Sequence, residues 1–438
     1  QAGEIQATID TGGKPTAVHV SPDGKLLVCD NSYRCQVLVY DVTAAPKLIL
    51  THGREGGIRA GTPGELEPDK FYGLRGANYD TGGNLYVAFD MGFGAAGTTI
   101  RSFDPDGNVR WDLKCMGFVD CFDIDPASDG GVLYTSQEIL TFDSDVLEPN
   151  HWGQTAMTVD PLKYPKDNRR SGGVQIVRAQ GRRILAWYHQ TSGGPRLHAF
   201  EPGDSHIARP VLDLTGEAGW SWDVDAEGSI WVADAGRPKR TIKRWRLLGW
   251  NEDGTPRYNL DEPEIWPWPN EWKRVCRIVY VPEADTLYVS GHTPEFPDVN
   301  QQIGMVGPVF ARYDNWTSGG RTKRYETVDL PRDLREWPKT PKSISVAGDY
   351  VFMVACWHSG DSDKGDHKLD GKPLMVHVYR ADNGEYVGNM WGPWKPLPIV
   401  DTKHGINAFK RSNGQYMLVV EEVYRGKNIV YLWTPSKK

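Results

Sequence analysis

The 438-residue chain contains no apolar run near the roughly 18–20 residues that a membrane-crossing helix needs, so no helical bilayer span is expected. It has almost no 3.6-residue periodicity of useful length, which leaves strands as the main element. It also lacks a basic surplus. Lysine and arginine number 50 against 57 aspartates and glutamates, a net charge of −7. Phosphate binding requires a basic surface that releases counterions, so a nucleic-acid partner is not expected, and runs such as RPKRTIKRWR are too short to reverse the balance. No segment is low in complexity: 48 glycines and 30 prolines are spread along the whole chain, which favours one domain over residues 1–438.

Cysteines are few, and none of the six has the CxxC or CxxCH spacing of a zinc, thioredoxin or haem site. An even set with close pairs suggests disulfides between Cys29 and Cys35 and between Cys115 and Cys121, with Cys276 and Cys356 as a third pair. Six buried thiols are the alternative. Together with a first residue, Gln1, that is not methionine, the cysteines point to a secreted or periplasmic protein.

What the sequence does contain is a repeat of short strands bounded by Gly, Asp, Asn and Pro turns. In the first copy these are TAVHVSP, a DG turn, KLLVCD, a loop, QVLVYDV and KLILTH. Seven further copies follow, among them NLYVAFD with TTIRSFD, GVQIVRAQG with RRILAWYHQ, and CRIVYVPEAD with TLYVSGHT. The last, INAFKRSNG, QYMLVVEE and NIVYLWTP, stops one strand short. The fold expected is all-β: an eight-bladed β-propeller of four-stranded blades, with Gln1–Gly12 supplying the outer strand of the last blade and so protecting the sheet edges. Seven blades are the alternative if the weak third copy is an insertion.

The segments PTAVHVSPDGKLLVCDNSYRCQVLVYD and GWSWDVDAEGSIWVADAG resemble the NHL repeat in register and residue type. The resemblance implies a propeller fold. It leaves function open, because NHL-like propellers include lyases, lactonases, hydrolases and pure binding modules.

Asp30, Asp90 and Asp234 close second strands of the same type in separate copies, and an aspartate recurring at one repeat position is most simply a turn carboxylate accepting backbone N–H bonds. Chemistry is expected where the repeat is broken. The second strands of the fourth, sixth, seventh and eighth copies end in Tyr188–His189, His292, Trp357–His358 and Glu421–Glu422. In a propeller the loops after these strands share one face.

Tyr188, His189, His292 and His358 would supply the acid and base groups of catalysis. Arg34 and Arg237, with Trp187, Trp222, Trp357 and Glu421, would bind substrate, arginine through a carboxylate and tryptophan by stacking on sugar rings. The run D-S-D-K-G-D sets Asp361, Asp363 and Asp366 at spacings that suit calcium, although no bidentate glutamate comes after it.

These residues suit a secreted glycan-active propeller, either a lyase removing the C5 proton of a uronic-acid polysaccharide or a glycoside hydrolase using paired carboxylates. The alternative is a non-catalytic binding or assembly propeller for a protein or glycan partner. A third reading, a quinoprotein-like oxidoreductase, rests on fourth strands such as GNVRWDLK and GEYVGNMWG, which resemble the tryptophan-docking repeats of that family.

Overall fold

A computed structural model of the chain describes residues 5–90, 97–115, 121–143, 145–146, 151–167, 169, 173–188, 194–217, 221–234, 240–292, 310–327, 339–357, 375–391, 405–422 and 427–436. It is all-β and propeller-like, built from antiparallel sheets that succeed one another along the chain. Sheet 1 comprises Pro15–Val20, Leu26–Asp30, Gln36–Asp41 and Lys47–His52, and sheet 2 Leu74–Tyr79, Leu85–Phe89, Thr98–Phe103 and Val109–Cys115. Sheet 3 is the degenerate copy, with Asp123–Ile124, Val132–Tyr134, Glu138–Phe142 and Trp152–Met157; sheet 4 has Val174–Ala179, Arg182–Tyr188, Pro195–Phe200 and Ala208–Asp213.

Sheet 5 uses Ser221–Val224, Ile230–Ala233, Thr241–Trp245 and Glu264–Pro267, and a two-stranded hairpin, Leu247–Trp250 with Pro256–Tyr258, is inserted before its last strand. Sheets 6 and 7 begin with Arg274–Val281 and Lys339–Ala347. Sheet 8 has three strands, Ile406–Lys410, Tyr416–Glu422 and Lys427–Trp433.

The hydrophobic contacts show how the sheets are arranged. Facing side chains form cores between sheets 3 and 4, 4 and 5, 5 and 6, 6 and 7, and 7 and 8. A further core joins sheet 8 to sheet 3, where Met417 and Val419 meet Phe122, Ile124, Leu133 and Leu140. Sheets 1 and 2 share a separate core, with Leu27, Val37 and Val39 against Leu74, Val87 and Phe89, and it touches sheet 3 only through the outer residues Met157 and Val159. The eight copies of the repeat are thus eight sheets, but sheet 8 packs on sheet 3 rather than on sheet 1.

The fourth strand expected on sheet 8 from Gln1–Gly12 is not formed by residues 5–12, which adopt no strand. Ile9 instead packs against Val28, Leu38 and Tyr40 of sheet 1, and the Thr11 carbonyl accepts from Arg34.

The tip of the first hairpin is scaffold. Asp30, fully enclosed, accepts from the amides of Lys14 and Ser32 at 2.8 and 2.9 Å, from the Ser32 hydroxyl, and from the Arg34 guanidinium at 2.6 Å. Disulfides do not close this hairpin: Cys29, Cys35, Cys115, Cys121 and Cys276 are all thiols, and the Cys356 side chain lies outside the described residues. Cys29 points into the core of sheets 1 and 2, while the Cys35 sulfur rests 3.6 Å from Asn31 Oδ1. Burial pushes both thiols up to about 12, so neither supplies a thiolate at neutral pH. Thiols packed in this way give no support to an oxidising compartment.

In the native protein, alkylation mapped by mass spectrometry should label exposed Cys115 and spare Cys29, Cys35 and Cys121 until denaturant is added; an alkylation-resistant, reductant-sensitive Cys29–Cys35 pair would contradict this packing. Asn407 donates its Nδ2 to the Phe122 carbonyl at 2.7 Å across the junction of sheets 8 and 3, so Asn407→Leu is expected to cost about 1–3 kcal/mol in urea unfolding.

Candidate functional site

The first strands of sheets 3 to 8 surround a cavity of about 320 Å³, lined by Asp123, Gln175, Asp223, Arg277, Ser345 and Asn407 among others and by no residue of sheets 1 and 2. A first strand has no strand partner on its inner edge, so its backbone groups there need side-chain partners. Polar side chains of adjacent sheets provide them. Asp123 accepts from the amide of Ile176 at 2.7 Å, Gln175 from Val224 at 3.0 Å, Asp223 from Tyr280 at 3.0 Å and Ser345 from Ala408 at 2.9 Å. Between sheets 8 and 3 the bond has the opposite sense, with Asn407 donating to the Phe122 carbonyl. Gln175 also donates to Asp223 at 2.8 Å, and Arg277 donates to the Trp222 carbonyl and lies 3.4 Å from Asp223.

Burial decides the ionisation of this centre. Desolvation raises Asp123 to about 7 against two backbone donors, and Asp225 to about 6. It also raises Asp223, against the pull of Arg277 and three further hydrogen bonds. The carboxyls therefore hold protons unusually well, but their oxygens are already engaged: Asp123 and Asp223 accept from amides of the next sheet, and Asp225 accepts from the amides of Glu227 and Ser229 and the Trp231 indole within its own sheet.

The fold also encloses a charged cluster with no counterpart among the expected site residues. Arg169, inaccessible to solvent, binds Asp167 Oδ2 at 2.8 Å, and His198 Nε2 lies 2.8 Å from Asp167 Oδ1. Burial and the neighbouring Arg169 lower His198 to about 4, so it is neutral, and Asp167 is held well below the usual carboxylate range with Arg169 as the main attractive partner. The available signal is a histidine at an inward position of PRLHAF. The cluster ties the segment around Asp167 to sheets 3 and 4, with Arg169 also donating to the Ser136 carbonyl.

Of the residues expected to act on substrate, Trp187 and Trp222 require correction. Both are core side chains, Trp187 between sheets 3 and 4 and Trp222, 0 % exposed, between sheets 4 and 5, so neither offers a ring face to a sugar. Tyr188 is also enclosed, edge-on to Trp222 at 6.2 Å between centroids. Arg34 belongs to sheet 1, away from the axial cavity, and is committed to Asp30 and the Thr11 carbonyl.

Register places Trp187 opposite Val174, His292 opposite Arg274, Trp357 opposite Lys339, and Glu421 one residue beyond the Ile406–Val420 pair. These strand ends lie where the first strands begin, and the cavity extends from near those beginnings, at Asp123, Gln175 and Asn407, to the turns after the first strands, at Pro126, Ala226 and Glu283. The side chains of His292, Trp357 and Glu421 lie outside the described residues, as do His189, Arg237, His358, Asp361, Asp363 and Asp366 in full.

A larger cavity, about 520 Å³, lies off this axis between sheets 1 and 2. Phe71, Phe103 and Leu85 contribute apolar lining, with His52 and Tyr79 hydrogen-bonded to each other at 2.5 Å. Asp23, Asp69, Asp80, Asp104 and Asp106 stand around it with Lys25.

No family model matches the chain, and no curated protein matches it. Among solved structures, Kuenenia stuttgartiensis hydrazine synthase is 12 % identical over 98 % of this chain and 99 % of that one, with a TM-score of 0.29. A eukaryotic initiation factor is 10 % identical over 99 % of this chain and 88 % of that one, with a TM-score of 0.25. Likenesses at this level carry no argument about function. The structure shares with the expected propeller its succession of four-stranded antiparallel sheets.

Asp123 gives a test of the axis. Its native pKa is raised from 3.8 to about 7, so the native state binds the proton more tightly than the unfolded chain. That contribution is complete below about pH 4 and is lost as pH rises through 7. Relative to the parent, Asp123→Asn should gain stability between pH 5 and pH 8, on the order of 1–3 kcal/mol in chemical denaturation. Parallel pH profiles for the two proteins would remove the buried carboxyl from this role.

Proposed function

We propose that the chain is a binding propeller in which sheets 3 to 8 form a six-sheet ring and sheets 1 and 2 form an attached pair that carries the ligand site. The observation that carries this is the 520 Å³ cavity between sheets 1 and 2, a volume in the range of small-molecule sites, with apolar lining and polar groups at its edge. The axial carboxylates support the same reading, because their hydrogen-bonding capacity is used to join sheets.

The glycan-active alternative depends on His189, His292 and His358 converging beyond the second strands of sheets 4, 6 and 7, with calcium at Asp361, Asp363 and Asp366. Incubation with pectate, alginate and hyaluronate separates the two readings. Binding alone predicts no unsaturated uronate product. Product formation that is lost in His189→Ala and His358→Ala variants would replace the binding reading with the lyase.

A further inference from the structure

The sheets of this chain pack in one direction: the front of each meets the back of the sheet that follows. Sheet 1 lays Leu27, Cys29 and Val39 on Leu85, Val87 and Phe89 of sheet 2. Beside that core the Thr16 hydroxyl donates to the Leu74 carbonyl at 2.8 Å, a cross-sheet bond to a first strand like those along the axis. The same direction runs from sheet 3 to sheet 8, and the front of sheet 8 meets the back of sheet 3. Among the described residues, one front, that of sheet 2, and one back, that of sheet 1, are left without a facing sheet.

Sheet 5 shows how such faces look when they are covered. On its back, Trp222 and Val224 stand opposite Val232 and Ile230 and are enclosed against sheet 4. The same places on sheet 1 are Val18 and Val20, opposite Val28 and Leu26, and they are 56 % and 63 % exposed. On the front of sheet 5, Ile242 stands opposite Ala233 and is enclosed by sheet 6. Its counterpart on sheet 2, Ile100 opposite Ala88, is 36 % exposed. These are first and third strands, so their openness is not that of an outer edge. Ile9 reaches Val28, Leu38 and Tyr40 and leaves Val18 and Val20 open.

Sheets 8 and 3 of the same chain are already committed to each other, by Met417 and Val419 in their core and by bonds from Asn407 to Phe122 and from Ser412 to Asp129. The segment between sheets 1 and 2 is also fastened to the outer strand of sheet 3, where the Leu66 amide donates to the Thr155 carbonyl at 2.9 Å and the Met157 amide to the Gly64 carbonyl at 2.8 Å. A second copy supplies both missing faces at once. The front of sheet 2 on the back of sheet 1, taken twice about a two-fold axis, closes a ring of four sheets, two from each chain. A face of four strands, each about six residues long, measures roughly 19 by 20 Å, or about 400 Å². Two such junctions therefore bury about 1,600 Å² in all, the size of a standard stable interface.

We propose that the chain forms a two-fold dimer through sheets 1 and 2, in which the back of sheet 1 around Val18 and Val20 receives the front of sheet 2 around Ile100 of the other copy, and the reverse. The dimer does not depend on what the cavity between those sheets binds.

Sedimentation equilibrium of the full chain at concentrations up to about 100 µM tests it, with a mass twice that of one chain expected. Val18→Glu and Ile100→Lys, both at open positions, should each weaken association about tenfold or more and leave the melting temperature near that of the parent. An equimolar mixture of the two variants should recover the dimer. One of its junctions is unaltered and the other sets a carboxylate against an ammonium, at places whose counterparts, Trp222 and Leu197, share the core of sheets 4 and 5. A parent that stays monomeric overturns the proposal. So does a dimer that only one of the two variants dissociates, because a front would then meet a front or a back a back. A mass that keeps growing with concentration overturns the closed dimer in favour of an open-ended assembly.

Discussion

The innermost strand of a propeller sheet faces an axis where there is no further strand, and the backbone groups on that edge must still be paired. Asp123, Gln175, Asp223, Ser345 and Asn407 meet this constraint by reaching from one sheet to the backbone of the next. The apolar cores between sheets are non-directional and allow some sliding. The axial bonds fix which residue of one first strand faces which residue of its neighbour, and so set the register of sheets that share no strand pairing. Their cost is desolvation, visible in the raised pKa values of Asp123 and Asp223.

Sheets 1 and 2 lie outside that arrangement, and their surfaces differ accordingly. Their shared core is well filled, but the surfaces away from it are less covered: Val18, Val20 and Leu48 are exposed on sheet 1, and Trp111 and Leu113 on sheet 2. Trp187 and Trp222, on second and first strands of sheets 4 and 5, are enclosed by the facing sheets, whereas fourth strands stay open in sheets 5 and 7 as well, at Ile265 and Val387. Strand position within the repeat therefore separates the enclosed Trp187 and Trp222 from the exposed Trp111 on a fourth strand.

This difference sets how much could be read from the sequence. Strand alternation and turn residues are local, and the eight sheet units were legible from them, including the degenerate third, VDCFDIDPASDG. Asp30 was legible because its recurrence at one repeat position implied a turn role, and its hydrogen-bond partners have that character. The partner of sheet 8 was not legible: whether Met417 and Val419 meet sheet 3 or sheet 1 depends on how the faces fit, and the repeat makes all the faces similar. Trp187 and Trp222 were misplaced for a related reason, since proximity to the channel along a strand does not say which face of the sheet a side chain occupies. The Asp167–Arg169–His198 cluster joins a loop to a distant strand, and no fixed spacing announces such a contact.

Aspartate takes opposite roles in the two cavities, and solvent accounts for the difference. At the axis, Asp123 accepts two backbone bonds, yet removal from water dominates and its proton is retained up to about pH 7. At the edge of the sheet 1–sheet 2 cavity, Asp80 accepts comparable bonds while remaining hydrated, and its pKa falls. Similar donors therefore leave one carboxyl able to hold a proton in the scaffold and the other a persistent charge beside open space. Charge in open space acts on molecules that arrive from solution, whereas a desolvated carboxyl acts on its immediate neighbours. On that physical ground the axial carboxyls act on the sheets they join, while the hydrated aspartates keep their charge toward solvent.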